Sequence, residues 1–339
     1  MTDNRAYLGK LTGSTYREQF ARGLEFTDFG SYVRQDTRVF IKPNLTFPKY
    51  RPGVMTSPKA VEGAILAIRE YSSHIFVGDA DSGGYNRFSM NQVYQSTGIG
   101  KFAKEHGVQL VNLSEGPRRT VKLDLPGKEV SLDLPVLLLD EMDTLVTMPV
   151  PKLHCNTQVS LSFKNQWGCI PEPRDRLKLH PRFAEVIFEV NRAVKTRTVL
   201  MDGKYGLNDN GPMRGRPVEL NWILASNDPG AAARVACHLM QVDPGSVEHL
   251  EYVRSRGELP NLEEIKMNTE FSSFIGERFK LYREPMDYPG VLAFRYSPIA
   301  YLAYFSPLAD FLHKVLYLFR KPFYDYDSPD ETSDNDPPK

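Results

Sequence analysis

Residues 38–44 read RVFIKPN, a short apolar run that ends at once in turn-forming residues. The same arrangement recurs three more times along the chain, at residues 74–84, 144–149 and 198–203. Short, nearly continuous apolar strands of this kind are typical of a parallel sheet that is buried on both faces. Helical patterns lie between the strands, at residues 57–68, 91–106, 183–194 and 230–240. The alternation predicts an α/β fold with a mostly parallel sheet flanked by helices.

The order of these patterns also predicts a domain organisation. Two alternating stretches at 121–125 and 130–134 flank Pro126-Gly127 and predict a β-hairpin inserted into the α/β fold. We expect four regions, which are an N-terminal segment (1–37), an α/β domain of catalytic type with room for two lobes (38–260), a C-terminal extension with an apolar helix (261–324) and a disordered acidic tail (325–339).

Charge and cysteine content restrict the class of protein. The chain has 339 residues with 42 basic and 42 acidic side chains, so no overall positive field attracts nucleic acid. Any attraction for an anion must therefore be local. Cys155, Cys169 and Cys237 have spacings that match neither a disulfide framework nor a CxxC metal motif. With no signal-peptide pattern, a reducing, cytoplasmic location is the simplest interpretation.

The apolar segment at residues 299–323 allows two interpretations. It is rich in Leu, Tyr and Phe, but Pro307 interrupts it. No stretch of the chain approaches the ~18 uninterrupted apolar residues of a membrane-spanning helix. We therefore expect a terminal helix docked on the body of the protein. A peripheral contact with a membrane surface or a partner protein is the alternative, because basic residues flank the run.

Polar side chains follow the predicted strands, where ligands of open α/β sheets bind. These loops supply Lys42, Asn44, Asp79, Asp81, Asp202 and, further along, Arg214. Asp79 and Asp81 are either oxygen ligands of a divalent metal or turn-forming residues. The adjacent Gly83-Gly84 resembles a phosphate cradle at a helix N-terminus only weakly, because it matches no nucleotide-binding motif.

The densest group of cationic and amide side chains lies in residues 149–180, PVPKLHCNTQVSLSFKNQWGCIPEPRDRLKLH. Lys152 and His154 are two residues apart, so they face the same side of a strand. Lys164-Asn165 follows the alternation of Val159, Leu161 and Phe163, which predicts another strand end. Trp167 is either an aromatic wall for a bound ring or a core residue.

Together these loops predict a pocket that binds an anion and exchanges protons with it. Histidine titrates near neutral pH, and lysine and arginine fix carboxylate or phosphate groups. The predicted catalytic residues are His154, Lys164, His180 and Asp202. The predicted substrate-binding residues are Lys42, Asn44, Lys152, Asn165, Arg174 and Arg214. The alternative for the basic side chains is a solvated surface.

An ordered set of short motifs resembles domain-of-unknown-function family 362 over residues 38–260. The set comprises Ile41-Lys42-Pro43-Asn44, Gly78-Asp79, Pro151-Lys152-Leu153-His154, Lys164-Asn165-Gln166-Trp167-Gly168, Pro171, Arg174, His180, Asp202-Gly203, Gly211-Pro212 and Ser226-Asn227-Asp228-Pro229. The resemblance implies an iron–sulfur label, since family members often carry ferredoxin-like cysteine clusters. This chain lacks those cysteines, so no iron–sulfur cluster is expected. Ala233 stands where the family usually has another aspartate.

The strand–KPN and strand–GD pattern is also similar, more remotely, to the substrate lobe of the nickel-dependent lactate racemase family. This similarity concerns the fold, which does not transfer chemistry by itself. The lysine that carries that family's nickel-pincer cofactor has no assignable counterpart in this chain. The cofactor therefore stays unknown, with a divalent metal at Asp79 and Asp81 as one option.

The sequence favours an enzyme that acts on a carboxylated or phosphorylated small metabolite by acid/base chemistry, in a biosynthetic setting. The first alternative is a redox or electron-transfer protein of an iron–sulfur-type family. The second is a scaffold that contacts a membrane surface or a partner through residues 299–323. The sequence does not identify the reaction.

Overall fold

The computed structural model describes residues 3–82, 88–125 and 127–319. Ten strands form one sheet, in which eight follow the order β12-β1-β11-β10-β7-β2-β3-β4, and β8 joins β10 and carries β9. Its strands are β1 (Arg5–Lys10), β2 (Arg38–Pro43), β3 (His74–Asp79), β4 (Gln109–Asn112), β7 (Thr144–Met148), β8 (Lys152–His154), β9 (Gln158–Ser160), β10 (Thr196–Asn208), β11 (Arg216–Ser226) and β12 (Lys266–Met267). The hairpin strands are β5 (Arg118–Leu125) and β6 (Lys128–Pro135).

The centre of the sheet is parallel, as the apolar runs predict. β10, β7, β2, β3 and β4 pair in parallel, whereas β11 and β1 extend the sheet in antiparallel fashion. Val39, Phe40 and Ile41 of β2 are fully buried, because helices cover both faces of the sheet. The predicted mixed α/β fold with a mostly parallel sheet is confirmed.

Twelve α-helices lie in the described part of the chain. They are α1 (Tyr16–Phe26), α2 (Pro58–Ile68), α3 (Met90–Ser96), α4 (Ile99–Glu105), α5 (Ser162–Asn165), α6 (Pro173–Leu179), α7 (Phe183–Ala193), α8 (Pro229–Met240), α9 (Glu248–Ser255), α10 (Tyr288–Arg295), α11 (Ser297–Tyr304) and α12 (Ala309–Tyr317). Proline at the first position starts α2, as predicted. The predicted helix at 91–106 is two helices, because Gly98 adopts a left-handed conformation with φ 77° between them.

The predicted β-hairpin is present as a separate two-stranded sheet. β5 and β6 pair in antiparallel register, with Val121 opposite Leu132. Leu123, Leu125 and Leu134 are buried in the main core, so the hairpin packs on the α/β body through one face.

The predicted region boundaries stay predictions, although the main sheet crosses them. β1 lies in the predicted N-terminal segment and β12 in the predicted C-terminal extension, and the two strands pair in parallel. The predicted acidic tail (325–339), the end of the apolar segment (320–323) and Gly83-Gly84 lie outside the described residues.

Candidate functional site

The parallel strands β2, β3 and β7 end side by side at one edge of the sheet. Lys42 of β2 lies in register with Thr147 of β7, and Asp79 is the last residue of β3. Both charged side chains are buried. The Lys42 ammonium donates a hydrogen bond of 2.8 Å to Oδ1 of Asp79. A desolvated ion pair therefore marks the edge at which the sequence predicts a ligand site.

A cavity of about 290 Å³ lies beside this ion pair. Of the twelve predicted site residues, eight line it, namely Lys42, Asn44, Asp79, Lys152, His154, Lys164, Asn165 and His180. These residues come from loops and elements up to 138 positions apart in the sequence, between Lys42 and His180. The fold thus brings most of the predicted site into one enclosed space.

Strand β8 carries Lys152 and His154, which both line the cavity and are both buried, as their spacing predicts. The Lys152 ammonium donates a 2.6 Å hydrogen bond to the carbonyl oxygen of Val54. Burial, helped by the positive charge of Lys164, lowers the pKa of Lys152 to about 7. Lys152 can therefore hold or release a proton at neutral pH.

The backbone around His154 fixes the tautomer of its neutral ring. Nδ1 accepts hydrogen bonds from the N–H groups of Asn156 at 3.1 Å and Thr157 at 3.5 Å. Burial, followed by the charges of Lys164 and Lys152, lowers the pKa of His154 well below its usual value. The neutral imidazole then carries its proton on Nε2, so His154 can donate a hydrogen bond to a ligand oxygen.

Lys164 and Asn165 lie on the short helix α5, so the predicted strand end at this point is wrong. β9 stops at Ser160, and the chain turns into α5 after Leu161. The Asn165 side chain donates hydrogen bonds to the Lys42 carbonyl oxygen (3.0 Å) and to Oγ1 of Thr147 (2.8 Å). These bonds fasten α5 across the ends of β2 and β7.

Lys164 is partly accessible from the cavity, and its ammonium lies 5.8 Å from the centre of the Phe183 ring. Among the described residues, its ammonium has no carboxylate within ion-pair distance. Desolvation lowers the pKa of Lys164 to about 8. An anion that entered the cavity would supply the missing counter-charge and favour the protonated lysine.

His180 forms an aromatic wall of the cavity together with Trp167. The two rings stack, with centroids 5.8 Å apart and planes 13° from parallel. Burial and the charges of Lys164 and Arg176 lower the pKa of His180 to about 3. His180 is therefore neutral at physiological pH, which favours a packing role over proton transfer. Trp167 satisfies both interpretations of its role, since it is buried and lines the cavity.

Helix α6 adds one cation that the sequence interpretation did not assign. Pro173, Arg176, Leu177 and His180 all line the cavity, at the i, i+3, i+4 and i+7 spacing of one helical face. The Arg176 guanidinium donates to the carbonyl oxygens of Ile170 (2.6 and 2.8 Å) and Asp81 (2.9 Å). Recognition of Pro173 as the first helical residue would have revealed this face.

The same helical period explains why the predicted ligand Arg174 does not line the cavity. Two residues along a helix rotate the side chain by about 200°, so Arg174 projects away from Arg176. Its guanidinium lies 5.7 Å from the centre of the Phe305 ring instead. The predicted ligand Arg214 also lies outside the cavity lining and faces Glu284 at 4.0 Å.

The fold places Asp202, which is predicted as a catalytic residue, outside the cavity lining. β10 continues past it to Asn208, so Asp202 lies within a strand and not at its end. Its carboxylate accepts hydrogen bonds from the Tyr16 hydroxyl (2.6 Å) and the N–H groups of Ser57 (2.8 Å) and Lys204 (3.2 Å). These contacts hold α1 and α2 against the sheet, away from the cavity.

The predicted metal ligands have protein partners in this structure. Asp81 Oδ1 accepts hydrogen bonds from the Met90 N–H and the Asn112 amide, and Asp79 accepts from Lys42 and from the Ala80 N–H. Within residues 3–82, 88–125 and 127–319, no group of three or more His, Cys, Asp or Glu side chains is arranged to hold a metal ion. The divalent metal therefore stays a prediction without a supporting geometry.

The C-terminal helices α10, α11 and α12 form the roof of the cavity. The roof residues that line it are Gly290, Phe294, Tyr304, His313, Leu316 and Tyr317. Phe294 contacts the His180 ring with centroids 4.6 Å apart. Before the roof begins, Arg283 donates a 2.6 Å hydrogen bond to the Cys155 carbonyl oxygen. The sequence gives no motif for these contacts, because they depend on how three short helices fold back.

The family sequence model for the domain of unknown function DUF362 matches residues 39–238. The chain belongs to the DUF362 family. The resemblance that the ordered motifs indicate is thus confirmed. The matched span includes every cavity-lining residue from Lys42 to Met213, whereas Asp287 and the roof helices of this DUF362 chain lie beyond it.

A curated relative and two solved structures resemble this DUF362 chain. The thylakoid-associated protein sll1697 of Synechocystis sp. is 25% identical over 244 residues, which cover 70% of this chain and 73% of that protein. The lactate racemase apoprotein from Thermoanaerobacterium thermosaccharolyticum is 14% identical with a TM-score of 0.44, over 70% of this chain. A crystal structure of a Thermotoga maritima protein is 15% identical with a TM-score of 0.38, over 67% of this chain.

The match with the lactate racemase spans 56% of the racemase chain, and the match with the Thermotoga maritima protein spans 59% of that chain. The remote similarity to the racemase family that the sequence predicts is therefore found, and it covers part of that protein.

None of the helices in the described ranges of the DUF362 chain is both long and apolar enough to cross a membrane.

Proposed function

We propose that this DUF362 chain is an enzyme that binds a carboxylated or phosphorylated small metabolite and exchanges a proton with it, in a biosynthetic setting. The observation that carries the proposal is the pair Lys152 and Lys164, which line one cavity with pKa values of about 7 and about 8. Such lysines are present in both protonation states near neutral pH, as a general acid or base requires.

The cavity separates binding from proton transfer. The Lys42 ammonium is already paired with the Asp79 carboxylate, to which it donates a hydrogen bond. His154 offers a neutral Nε2–H donor to a carbonyl or carboxylate oxygen. Lys164 supplies a charge that desolvation strengthens, since interactions between charges grow as water is excluded. In this mechanism Lys164 and His154 bind the oxygens of the anion, and Lys152 accepts or returns the proton.

A first test asks whether these residues bind an anion. Inorganic phosphate or a small carboxylate should stabilise the full chain against thermal unfolding. Lys164→Ala and His154→Ala should each weaken this binding, with an apparent Kd at least about tenfold higher than that of wild type. Lys178→Ala is the matched control, because Lys178 is an exposed lysine of α6. Equal stabilisation of all three variants would place the anion elsewhere.

A second test asks whether protons are exchanged. Mass spectrometry of the extract from denatured protein would identify a co-purified anion. That compound is then incubated with the native chain in D₂O, and deuterium incorporation at carbon is followed by NMR. Incorporation by wild type and its loss in Lys152→Met would support acid/base chemistry. Unchanged incorporation in Lys152→Met would refute the role proposed for Lys152.

The cytoplasmic location that the sequence suggests is also a proposal. Cys155, Cys169 and Cys237 are buried and not disulfide-bonded, which suits a reducing compartment. The Synechocystis relative is described as thylakoid-associated. A chain that rests on the cytoplasmic face of a membrane would satisfy both observations.

The redox alternative has less support. Iron–sulfur clusters are held by sets of cysteine thiolates, and the only cysteines of this chain are the three named above. Burial raises the pKa of the Cys169 and Cys237 thiols to about 12 in each case. Both thiols are thus held in the protonated form, which is a poor metal ligand.

A further inference from the structure

The exposed apolar surface of this protein is concentrated on the roof helices. Of the fourteen large apolar side chains that are exposed in the described part of the chain, twelve lie between residues 288 and 319. Among these twelve, the most exposed are Leu318 at 79% and Phe319 at 71%, followed by Phe311 at 63%. Isolated apolar residues on a surface are ordinary, but a cluster on one element marks a contact surface.

The roof helices are unsuited to crossing a bilayer and suited to lying on one. α10, α11 and α12 have eight, eight and nine residues, whereas a spanning helix needs about 20. The exposed residues include Tyr288, Tyr296 and Tyr301, and tyrosine is enriched at the level of lipid headgroups. This arrangement of short amphipathic helices is typical of contact with a lipid interface.

The charges around this surface are complementary to an anionic membrane. Between residues 288 and 319 the charged side chains are Arg295, Lys314 and Asp310, with His313 also present. Arg174 and Lys178 of α6 adjoin the roof, since both lie within 6 Å of the Phe305 ring centre, at 5.7 and 5.5 Å, and Lys178 also forms an ion pair with Asp175 at 2.8 Å. Cationic residues bordering apolar ones favour a surface of anionic lipids over an acidic soluble partner.

The inner side of the same helices is mostly apolar, although His313 also lines the cavity, and it faces the cationic floor. Phe294, Leu316 and Tyr317 line the cavity from above, while Leu161, Trp167 and Phe183 add apolar wall from below. The lysines lie on the floor as well, where the Lys164 ammonium is 5.8 Å from the centre of the Phe183 ring. A ligand that fills such a space has an anionic head and an apolar tail.

From these two faces we propose that α10–α12 rest on an anionic lipid surface, and that the cavity beneath them takes an amphiphilic anion from it. The choice of ligand rests on the proposed function, because the head of the amphiphile is the anion that Lys164 binds. The docking of the roof on lipid does not depend on catalysis. The two parts are therefore tested separately.

The docking test uses flotation of the full chain with vesicles of phosphatidylcholine, with and without phosphatidylglycerol. Phe311→Glu combined with Leu318→Glu should lower binding to the anionic vesicles at least about tenfold, since it places charge in the apolar face. Ile275→Glu is the matched control, because Ile275 is exposed at 38% but lies outside the roof. Circular dichroism and thermal unfolding of each variant establish that it is folded.

Flotation of wild type and Ile275→Glu, but not of the double variant, supports docking on lipid. Failure of wild type to float with either vesicle overturns it. Wild type could instead self-associate without floating, and the double variant could abolish that association. This result would show that a second copy covers the roof, and it would also overturn docking on lipid.

The ligand test compares decyl phosphate, below its critical micelle concentration, with inorganic phosphate. We expect decyl phosphate to bind at least about tenfold more tightly, which burial of about two methylene groups supplies. Leu316→Asp should remove this advantage. Equal affinity for the two phosphates would overturn the proposal of an amphiphilic ligand and would leave the proposed anion site unaffected. Binding of both phosphates that is unchanged in Lys164→Ala would instead refute the proposed function.

Discussion

Lys42 and Asp79 form a buried ion pair directly beneath the backbone of Gly168. The Nζ–Oδ1 distance is 2.8 Å, and a Cβ atom at Gly168 would lie 2.4 Å from Asp79 Oδ1 and 2.8 Å from Lys42 Nζ. The turn after α5 can therefore approach the pair only because residue 168 has no side chain. This contact joins the ends of β2 and β3 to the segment that carries the other lysines.

Removal of the Asp79 charge should destabilise the protein strongly. Asp79→Asn leaves the Lys42 ammonium buried without a counter-charge, which costs about 3–5 kcal/mol when one partner of a buried pair is lost. The free energy of unfolding is measured by urea titration. The double variant Lys42→Met, Asp79→Asn removes both charges and should recover much of the loss. A single variant within about 0.5 kcal/mol of wild type would show that the pair is not desolvated as described.

Gly168→Ala should disturb the same pair from the other side. The added methyl group must displace Asp79 or the turn, and such overpacking costs about 1–3 kcal/mol. Gly290→Ala is the matched control, because Gly290 also lines the cavity and nothing lies within 4 Å of the position of its Cβ. Thermal unfolding of both variants measures the difference. If the two variants melt together, the close approach at Gly168 is not a constraint.

Sequence patterns predicted the parallel core and most of the cavity, because short apolar strands of parallel sheets end at a common edge. The prediction failed at Asp202, where Asp202-Gly203 has the composition of a turn but lies within β10. Gly203 is required there for another reason, since its Cβ would lie 2.0 Å from the Trp222 ring. This contact lies across the β10–β11 pair, between residues that face each other in register, so no local pattern around residue 203 reveals it.

The arrangement of the roof helices could not be predicted from the sequence, for a similar reason. The apolar run at 299–323 indicates a contact surface, but its composition is compatible with either docking or membrane contact. Which side chains turn inward depends on the breaks between α10, α11 and α12, and on distant anchors such as the Arg283–Cys155 hydrogen bond. Long-range packing, and not local propensity, therefore determines the upper half of the cavity.

Asp202→Asn should affect stability and not ligand binding. The carboxylate accepts three hydrogen bonds from Tyr16, Ser57 and Lys204, and an amide cannot accept all of them with the same geometry. We expect a loss of about 1–3 kcal/mol in the free energy of unfolding. Sulfate binding, followed by calorimetry, should be unchanged. Weakened sulfate binding at full stability would return Asp202 to the site.

Anion binding should be coupled to proton uptake with a defined sign. Lysine pKa values of about 7 for Lys152 and about 8 for Lys164 mean that both are almost fully charged below about pH 6. A bound anion favours the charged forms, so sulfate affinity should be constant below about pH 6. It should fall as pH rises through 7 and 8, by up to about tenfold per pH unit for each lysine that must be reprotonated. Sulfate is the suitable probe because its own charge is constant over this range.

Lys164→Arg isolates the contribution of one lysine to this coupling. Arginine stays protonated throughout the range, so the variant should bind sulfate with a weaker pH dependence and take up less proton at pH 8. Isothermal titration calorimetry in two buffers of different ionisation enthalpy measures the uptake directly. Wild type that binds sulfate with no proton uptake at pH 8 would contradict the lowered pKa values. Equal uptake in wild type and Lys164→Arg would assign the titrating group to another residue of the cavity.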